Sequence, residues 1–137
     1  MRRGLTLDDL GDLLALPLIA VLGTTRAEGG GILLAPVWQE WCDGGFSMFA
    51  PVNDAKVRNL RADPRASIVV YESVPPYRGV EVRGAARLIT EGAAETAARI
   101  AARFEEPDPE DPSVPDECVI IRLEPGAVRA WDFVDEF

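Results

Sequence analysis

The stretch Asn53-Asp54-Ala55-Lys56-Val57-Arg58-Asn59-Leu60-Arg61-Ala62-Asp63-Pro64-Arg65 reads as a short helix with both ends marked. Asn53 is a good N-cap, because its side-chain oxygen can accept a backbone N–H of the first turn. Pro64 disfavours helical geometry at Asp63, so the helix stops there. Val57 and Leu60 then face inward. Lys56 falls in the first turn and is the only lysine among fourteen basic residues. A cation there opposes the helix dipole by about a few tenths of a kcal/mol. An anion held at the same helix start reverses that sign, since free N–H groups and the ammonium both point at it. From the residues alone two readings stay open, a phosphate site and a solvated surface lysine.

Strands flank this helix on both sides. Upstream, Leu18 to Thr25 is strand-like, and Ala27-Glu28-Gly29-Gly30-Gly31 is a hairpin turn. Those glycines do not make a phosphate loop, because no helix pattern or Gly-Lys-Ser/Thr element follows. Ile32 to Trp41 reads as a second strand, with Pro36 pointing to an edge position or a bulge. Asp43-Gly44 is a hairpin turn, and Gly45 to Ala50 is a third strand closed by Pro51. Downstream come a fourth strand, Ala66 to Tyr71, the stiff Pro75-Pro76 loop, and a fifth strand, Val80 to Thr90. Gly84 in the fifth marks a bulge or a close backbone approach. A second helix is expected over Glu91 to Phe104, capped by Thr90, with Ile100 and Phe104 on its buried side. Cys118 to Leu123 is the sixth strand, Pro125-Gly126 a turn, and Val128 to Phe133 a last short strand. Near the N-terminus, Thr6 caps a short helix with Leu7, Leu10, Leu13 and Leu14 on one face, ended by Pro17.

The expected fold is mainly β with α: six or seven short, mostly antiparallel strands and two or three helices in a closed or nearly closed barrel. Residues 1–137 suit one domain with a full core.

Composition narrows the function. The formal net charge is -9 and the pI about 4.5, which argues against broad nucleic-acid or anionic-membrane binding. The chain has no histidine, so His-based triads, the usual zinc sites and a His general base are excluded. Cys42 and Cys118 lie far apart, have no metal-ligand spacing, and read as free thiols. The loop from Glu105 to Glu117 holds seven acids among four prolines, but not the spacing of a calcium loop. No metal site is expected. Asp8, Asp9 and Asp12 interrupt the interval between Arg2-Arg3 and the apolar run, unlike a signal peptide. No apolar run spans a membrane, and the chain reads as cytoplasmic.

Several pieces together resemble the pyridoxamine 5′-phosphate oxidase-like split-barrel family. They are Pro36-Val37-Trp38, Phe49-Ala50-Pro51, Lys56-Val57-Arg58-Asn59-Leu60, Asp63-Pro64-Arg65 and Val82-Arg83-Gly84-Ala85-Ala86. The match runs from Leu5 to Leu88, and more loosely through Trp131. The resemblance implies a homodimer with FMN, or alternatively an 8-hydroxy-5-deazaflavin coenzyme, in a groove at the subunit interface. It places Leu34, Ala35, Pro36, Val37 and Trp38 beside the ring, and Phe49, Ala50, Lys56 and Asn59 around the phosphate. Trp38 and Trp131 are candidates to flank the ring, with core or interface packing the other reading. Tyr77 and Arg78, after the Pro-Pro loop, are candidates for contact with a small-molecule substrate, with a loop packed on the barrel mouth the other reading. The Lys-x-x-Asn-Leu-Arg-x-Asp-Pro-Arg form is common in the deazaflavin-using branch. The implied activity is a flavin- or deazaflavin-dependent oxidoreductase moving a hydride to or from a small organic molecule. The alternatives are a non-catalytic protein that stores or shields the cofactor, and a dimer that keeps only the fold. Pyridoxamine phosphate oxidases proper use histidine-containing substrate motifs near the C-terminus, which this chain lacks.

Overall fold

The computed structural model describes residues 1–137. Nine strands are formed: β1 (Arg2–Leu5), β2 (Ala20–Thr25), β3 (Ile32–Val37), β4 (Glu40–Cys42), β5 (Gly45–Pro51), β6 (Arg65–Tyr71), β7 (Gly79–Ile89), β8 (Cys118–Leu123) and β9 (Ala127–Asp132). Two helices join them, α1 (Ala55–Ala62) and α2 (Ala93–Ala102). The strand order is β3-β2-β6-β7-β8-β5-β4, with β9 pairing both β1 and β7. Every pairing is antiparallel. This is the expected split barrel.

The split is made inside β7. Its first half, Gly79 to Arg83, pairs with β9, and its second half, Ala86 to Ile89, pairs with β8. The exchange occurs at Gly84, where the β8–β9 turn crosses the strand. The N–H of Gly126 donates to the carbonyl of Arg83 at 2.8 Å. A Cβ on Gly84 would lie 2.6 Å from the carbonyl oxygen of Glu124, so glycine is required for close approach. Gly84→Ala is expected to cost about 1–3 kcal/mol, because the obstacle is backbone that cannot rotate away. Denaturant melts check this, and an unchanged midpoint contradicts it.

Twenty buried residues form the main core, including Leu10, Leu13, Leu22, Phe46, Met48, Val57, Ile68 and Ile121. Both open edges have sequence signatures. Pro36 lies on β3, the terminal strand of the order, where a missing N–H does no harm. Asp43 (φ 50°) and Gly44 (φ 76°) make a two-residue turn between paired Cys42 and Gly45, as expected for a hairpin. Trp41 packs edge-on against Phe46 at 4.9 Å, a core role.

Five expectations need correction. The N-terminal helix is two 3-10 turns, Asp8–Leu10 and Leu13–Ala15, because Gly11 takes a φ of 62° between them. Thr6 and Asp9 still exchange the reciprocal bonds of a capping box. The expected strand Ile32 to Trp41 is two strands, broken where Gln39 turns fully inward and donates to the carbonyl of Leu18 at 3.0 Å. Helix α2 starts at Ala93 behind Gly92 in the left-handed region, not behind Thr90, and ends before Phe104. Helix α1 is preceded by Asp54, not Asn53, as its N-cap residue, and Asp54 makes no side-chain cap bond. Strand β1 was not anticipated, because Arg-Arg-Gly-Leu has no alternation. Its Arg2 forms an ion pair with Asp132 of β9.

Candidate functional site

A cavity of about 360 Å³ opens where the end of β3, the strand β5 and the start of α1 meet. It is lined by Ile19, Pro36, Val37, Trp38, Phe49, Lys56 and Ser113. Four residues singled out from the sequence, Pro36 and Val37 at the end of β3, Trp38 just beyond it and Phe49 on β5, therefore meet the expected lysine on α1. Pro51 ends β5, and the residues that follow turn into α1, which delivers Lys56 beside Phe49.

Lys56 is not a solvated surface residue. Its side chain is only 16% exposed, and Nζ lies 2.6 Å from Oδ2 of Asp54. The N–H groups of Val57 and Arg58 both donate to the carbonyl of Asp54. Those of Ala55 and Lys56 donate to no group in the chain, as the first amides of a helix do. First-turn amides and an ammonium are groups of the kind that hold anions at helix starts. Trp38 forms the aromatic wall: it stacks on Phe104 at 5.3 Å with a 4° interplanar angle, and meets Phe49 edge-on at 6.2 Å.

The other expected residues are placed elsewhere. Leu34 is 69% exposed and lines a larger, open groove of about 990 Å³ across the outer face of β3, β2, β6 and β7. Ala35 is half-buried and lines neither concavity. Ala50 is buried in the core. Asn59 does not reach the cavity. Its Oδ1 accepts from the N–H of Ala27 at 2.9 Å and its Nδ2 donates to Oγ1 of Thr24 at 3.1 Å. It ties α1 to the β2–β3 hairpin, which explains an asparagine there without a ligand. Trp131 sits over Gly79, whose added Cβ would lie 2.4 Å from the indole, and stacks beneath the Arg129 guanidinium at 5.0 Å. It is not a cavity residue of the same chain.

Tyr77 has a φ of 56° and meets the rings of Phe133 and Phe137. Arg78 is a structural clamp. It grips both carboxylate oxygens of Glu72 at 2.8 Å, and also the carbonyl of Leu10 and Asp12. The Arg78 guanidinium holds the nearly buried Glu72 carboxyl below its usual range. Arg78 itself is raised by Glu72 and then Asp12. Four of its five guanidinium N–H groups are thus engaged within the chain.

Asp54, Ile19, Ser113 and Phe104 shape the site without having been singled out. Asp54 had a usable signal, two residues before the lone lysine. Side chains at that spacing diverge on a helix, but Asp54 lies outside the helix, so the rule does not separate them. Cys42 and Cys118 are free, as expected. No group of three or more metal-ligating side chains is present, and no helix is long and apolar enough to cross a membrane.

The fold has solved counterparts. A structure named F420 reductase is 27% identical, with a TM-score of 0.75, over 85% of this chain and 93% of its own. A conserved hypothetical protein from Mycobacterium tuberculosis is 22% identical, with a TM-score of 0.80, over 96% and 88%. A FAD-binding protein from Mesorhizobium loti is 19% identical, with a TM-score of 0.66, over 95% and 97%. No protein of curated function matches the chain. Residues 7–132 match the family model described as pyridoxamine 5′-phosphate oxidase, and by that match and its split barrel the chain belongs to the pyridoxamine 5′-phosphate oxidase-like family.

Proposed function

We propose that this chain is a flavin- or deazaflavin-dependent oxidoreductase acting on a small organic substrate. The observation that carries the reading is Lys56, mostly buried in a cavity walled by Trp38 and Phe49 and flanked by two unengaged helix N–H groups. A cavity of about 360 Å³ is in the range of small-ligand sites. Its residues suit a phosphate-bearing, planar aromatic group: charge at one end, rings at the other. The family, and a 27% identical neighbour named F420 reductase, support the same class of cofactor.

When bound, such a cofactor supplies the hydride chemistry itself, which makes the absent histidine tolerable. The protein's share is holding and orienting. Lys56 and the first amides of α1 hold the anionic tail. Trp38 and Phe49 fix the plane of an aromatic group. Ile19, Pro36 and Val37 keep water from one side. β3 is an edge strand, so its alternate N–H groups face away from β2 and are free to bond a polar ring edge.

A second copy of the chain covers the larger groove. Ile32 and Leu34 are 58% and 69% exposed on an otherwise unpaired edge strand, a surface that needs a cover. Light scattering at micromolar concentration should return twice the chain mass.

The decisive experiment is the absorption spectrum and mass of whatever small molecule accompanies the purified protein, followed by steady-state reduction of a panel of acceptors. A flavin or deazaflavin with turnover supports the proposal. Cofactor without turnover on any acceptor favours storage or shielding. Failure to bind either cofactor on addition overturns both.

A further inference from the structure

The indole that walls the cavity stands on a stretch no strand holds. β3 ends at Val37 and β4 begins at Glu40, so Trp38 and Gln39 lie outside both ladders. The last turn of α2 and the two residues after it supply the hold instead, with one contact for each of three consecutive residues. Phe104 lies parallel to the Trp38 indole at 5.3 Å. The Arg103 guanidinium donates to the carbonyl of Gln39. Arg99 pairs with the Glu40 carboxylate at 2.8 Å. Arg103 also donates to the carbonyl of Leu16 at 3.1 Å, and the buried Gln39 side chain donates to that of Leu18. The backbone beneath Trp38 is therefore fastened to a second segment of chain as well as to α2.

The helix itself is a firm support. Ala97 and Ile100 are fully buried. Ala93 and Ala97 pack on Ile120 of β8 in a cluster that Phe49 also touches. One helix thus backs both aromatic members of the cavity, Phe49 directly and Trp38 through Phe104. Phe104 does not line the cavity, so it reaches a ligand only by way of Trp38. A half-buried indole that loses such a neighbour redistributes among its staggered rotamers.

We infer that Phe104 and Arg103 are positioning residues for the ring end of the cavity: Phe104 fixes the plane of the Trp38 indole, and Arg103 fixes the backbone that carries it. The inference rests on the cofactor reading of this cavity. It assigns the residues that order the aromatic wall before a ligand arrives, and a wall already ordered binds more tightly because the ligand does not have to order it.

The test has two arms, each run on wild type, Phe104→Leu, Phe104→Tyr and Arg103→Met, with denaturant melts of all four. The first arm uses the ligand-free protein labelled with nitrogen-15. The three tryptophans give three indole N–H signals, and Trp38→Phe identifies that of Trp38. Its heteronuclear NOE in wild type should be that of a rigid group. Phe104→Leu should lower the NOE and shift the signal, because the shielding of the stacked ring is lost, and Phe104→Tyr should restore both. Arg103→Met should lower the NOE too, and it tests the same hold if Phe104→Leu does not fold. The signals of Trp41 and Trp131 should stay as they are, which a general loosening of the fold would not allow. The second arm titrates FMN and the 8-hydroxy-5-deazaflavin coenzyme by ring fluorescence. Phe104→Leu should weaken whichever binds by about three- to tenfold, the fall in competent population when one stacking pair is lost, and Phe104→Tyr should bind as wild type does. An unchanged Trp38 NOE in Phe104→Leu and Arg103→Met, or an affinity loss that Phe104→Tyr does not restore, overturns the inference and leaves the cofactor reading intact. Binding of neither compound by wild type overturns the reading and the inference with it.

Discussion

Lys56→Met is expected to weaken cofactor binding by roughly 10- to 150-fold, the loss of one charge-assisted contact of about 1.5–3 kcal/mol. The apo protein should be nearly unchanged. The ion pair to Asp54 is partly exposed, with side chains 16% and 34% accessible, and pairs of that kind contribute about 0–1 kcal/mol. Removing the ammonium also leaves the Asp54 carboxylate at a helix N-terminus, where an anion is favoured. The two effects offset, so the substitution separates affinity from stability. Cofactor fluorescence titrations read the first and denaturant melts of both apo proteins read the second. Affinity within roughly threefold of wild type, well under the loss of a charge-assisted contact, would show that Lys56 does not hold the anion. The role would then pass to Arg58 or Arg61, exposed arginines that each use one N–H on a backbone carbonyl.

The opposite pattern is expected at Arg78. Arg78→Met leaves Glu72, 5% exposed, without the partner that bonds both its oxygens. Removing one member of a buried pair costs about 3–5 kcal/mol. The lower end applies here, because Arg78 is itself 20% accessible and water can enter. Affinity for the cofactor in the folded protein should not change, since Arg78 lines neither concavity.

The pH dependence gives an independent check. Glu72 has its folded-state pKa lowered by Arg78. A lowered carboxyl contributes stability that is present above its unfolded value, about 4.3, and is lost as pH falls through the folded one. The deficit of Arg78→Met against wild type should therefore be largest above about pH 4.5 and shrink as acid is added. A deficit independent of pH between neutrality and pH 3 would mean that the loss comes from packing of the arginine stem and not from the pair. A loss of turnover with stability and cofactor affinity unchanged would restore the substrate role that the sequence suggested.

Much of the barrel was legible from local chemistry. Asp43-Gly44, Pro36 and Gly84 each act through backbone constraints that are the same in any context: a left-handed turn, a missing N–H, and an absent Cβ. Periodic apolar runs such as Ile68 and Val70, or Ile121 and Leu123, gave the strands their buried faces. The cavity wall of Pro36, Val37, Trp38, Phe49 and Lys56 was legible as well, through family resemblance more than spacing. Two expected site residues are placed away from the cavity for one reason. Asn59 and Arg78 carry the polar groups expected of ligand contacts, but folding spends those groups on Thr24, Ala27, Glu72 and Asp12.

The chain by itself determined which residues turn, which are buried and where the lone ammonium sits on its helix. Tertiary structure alone decided who meets whom. Hydrogen-bond partners more than thirty residues apart, such as Asn59 with Ala27 and Arg78 with Leu10, leave no periodicity to read. The same holds for β1, whose residues pair with β9 only because the barrel brings the two ends of the chain together. It holds for Lys56 as well: its helix and its Asp54 partner two residues away are local matters, but its place in one cavity with Trp38 and Phe49 arises only when β3, β5 and α1 come together.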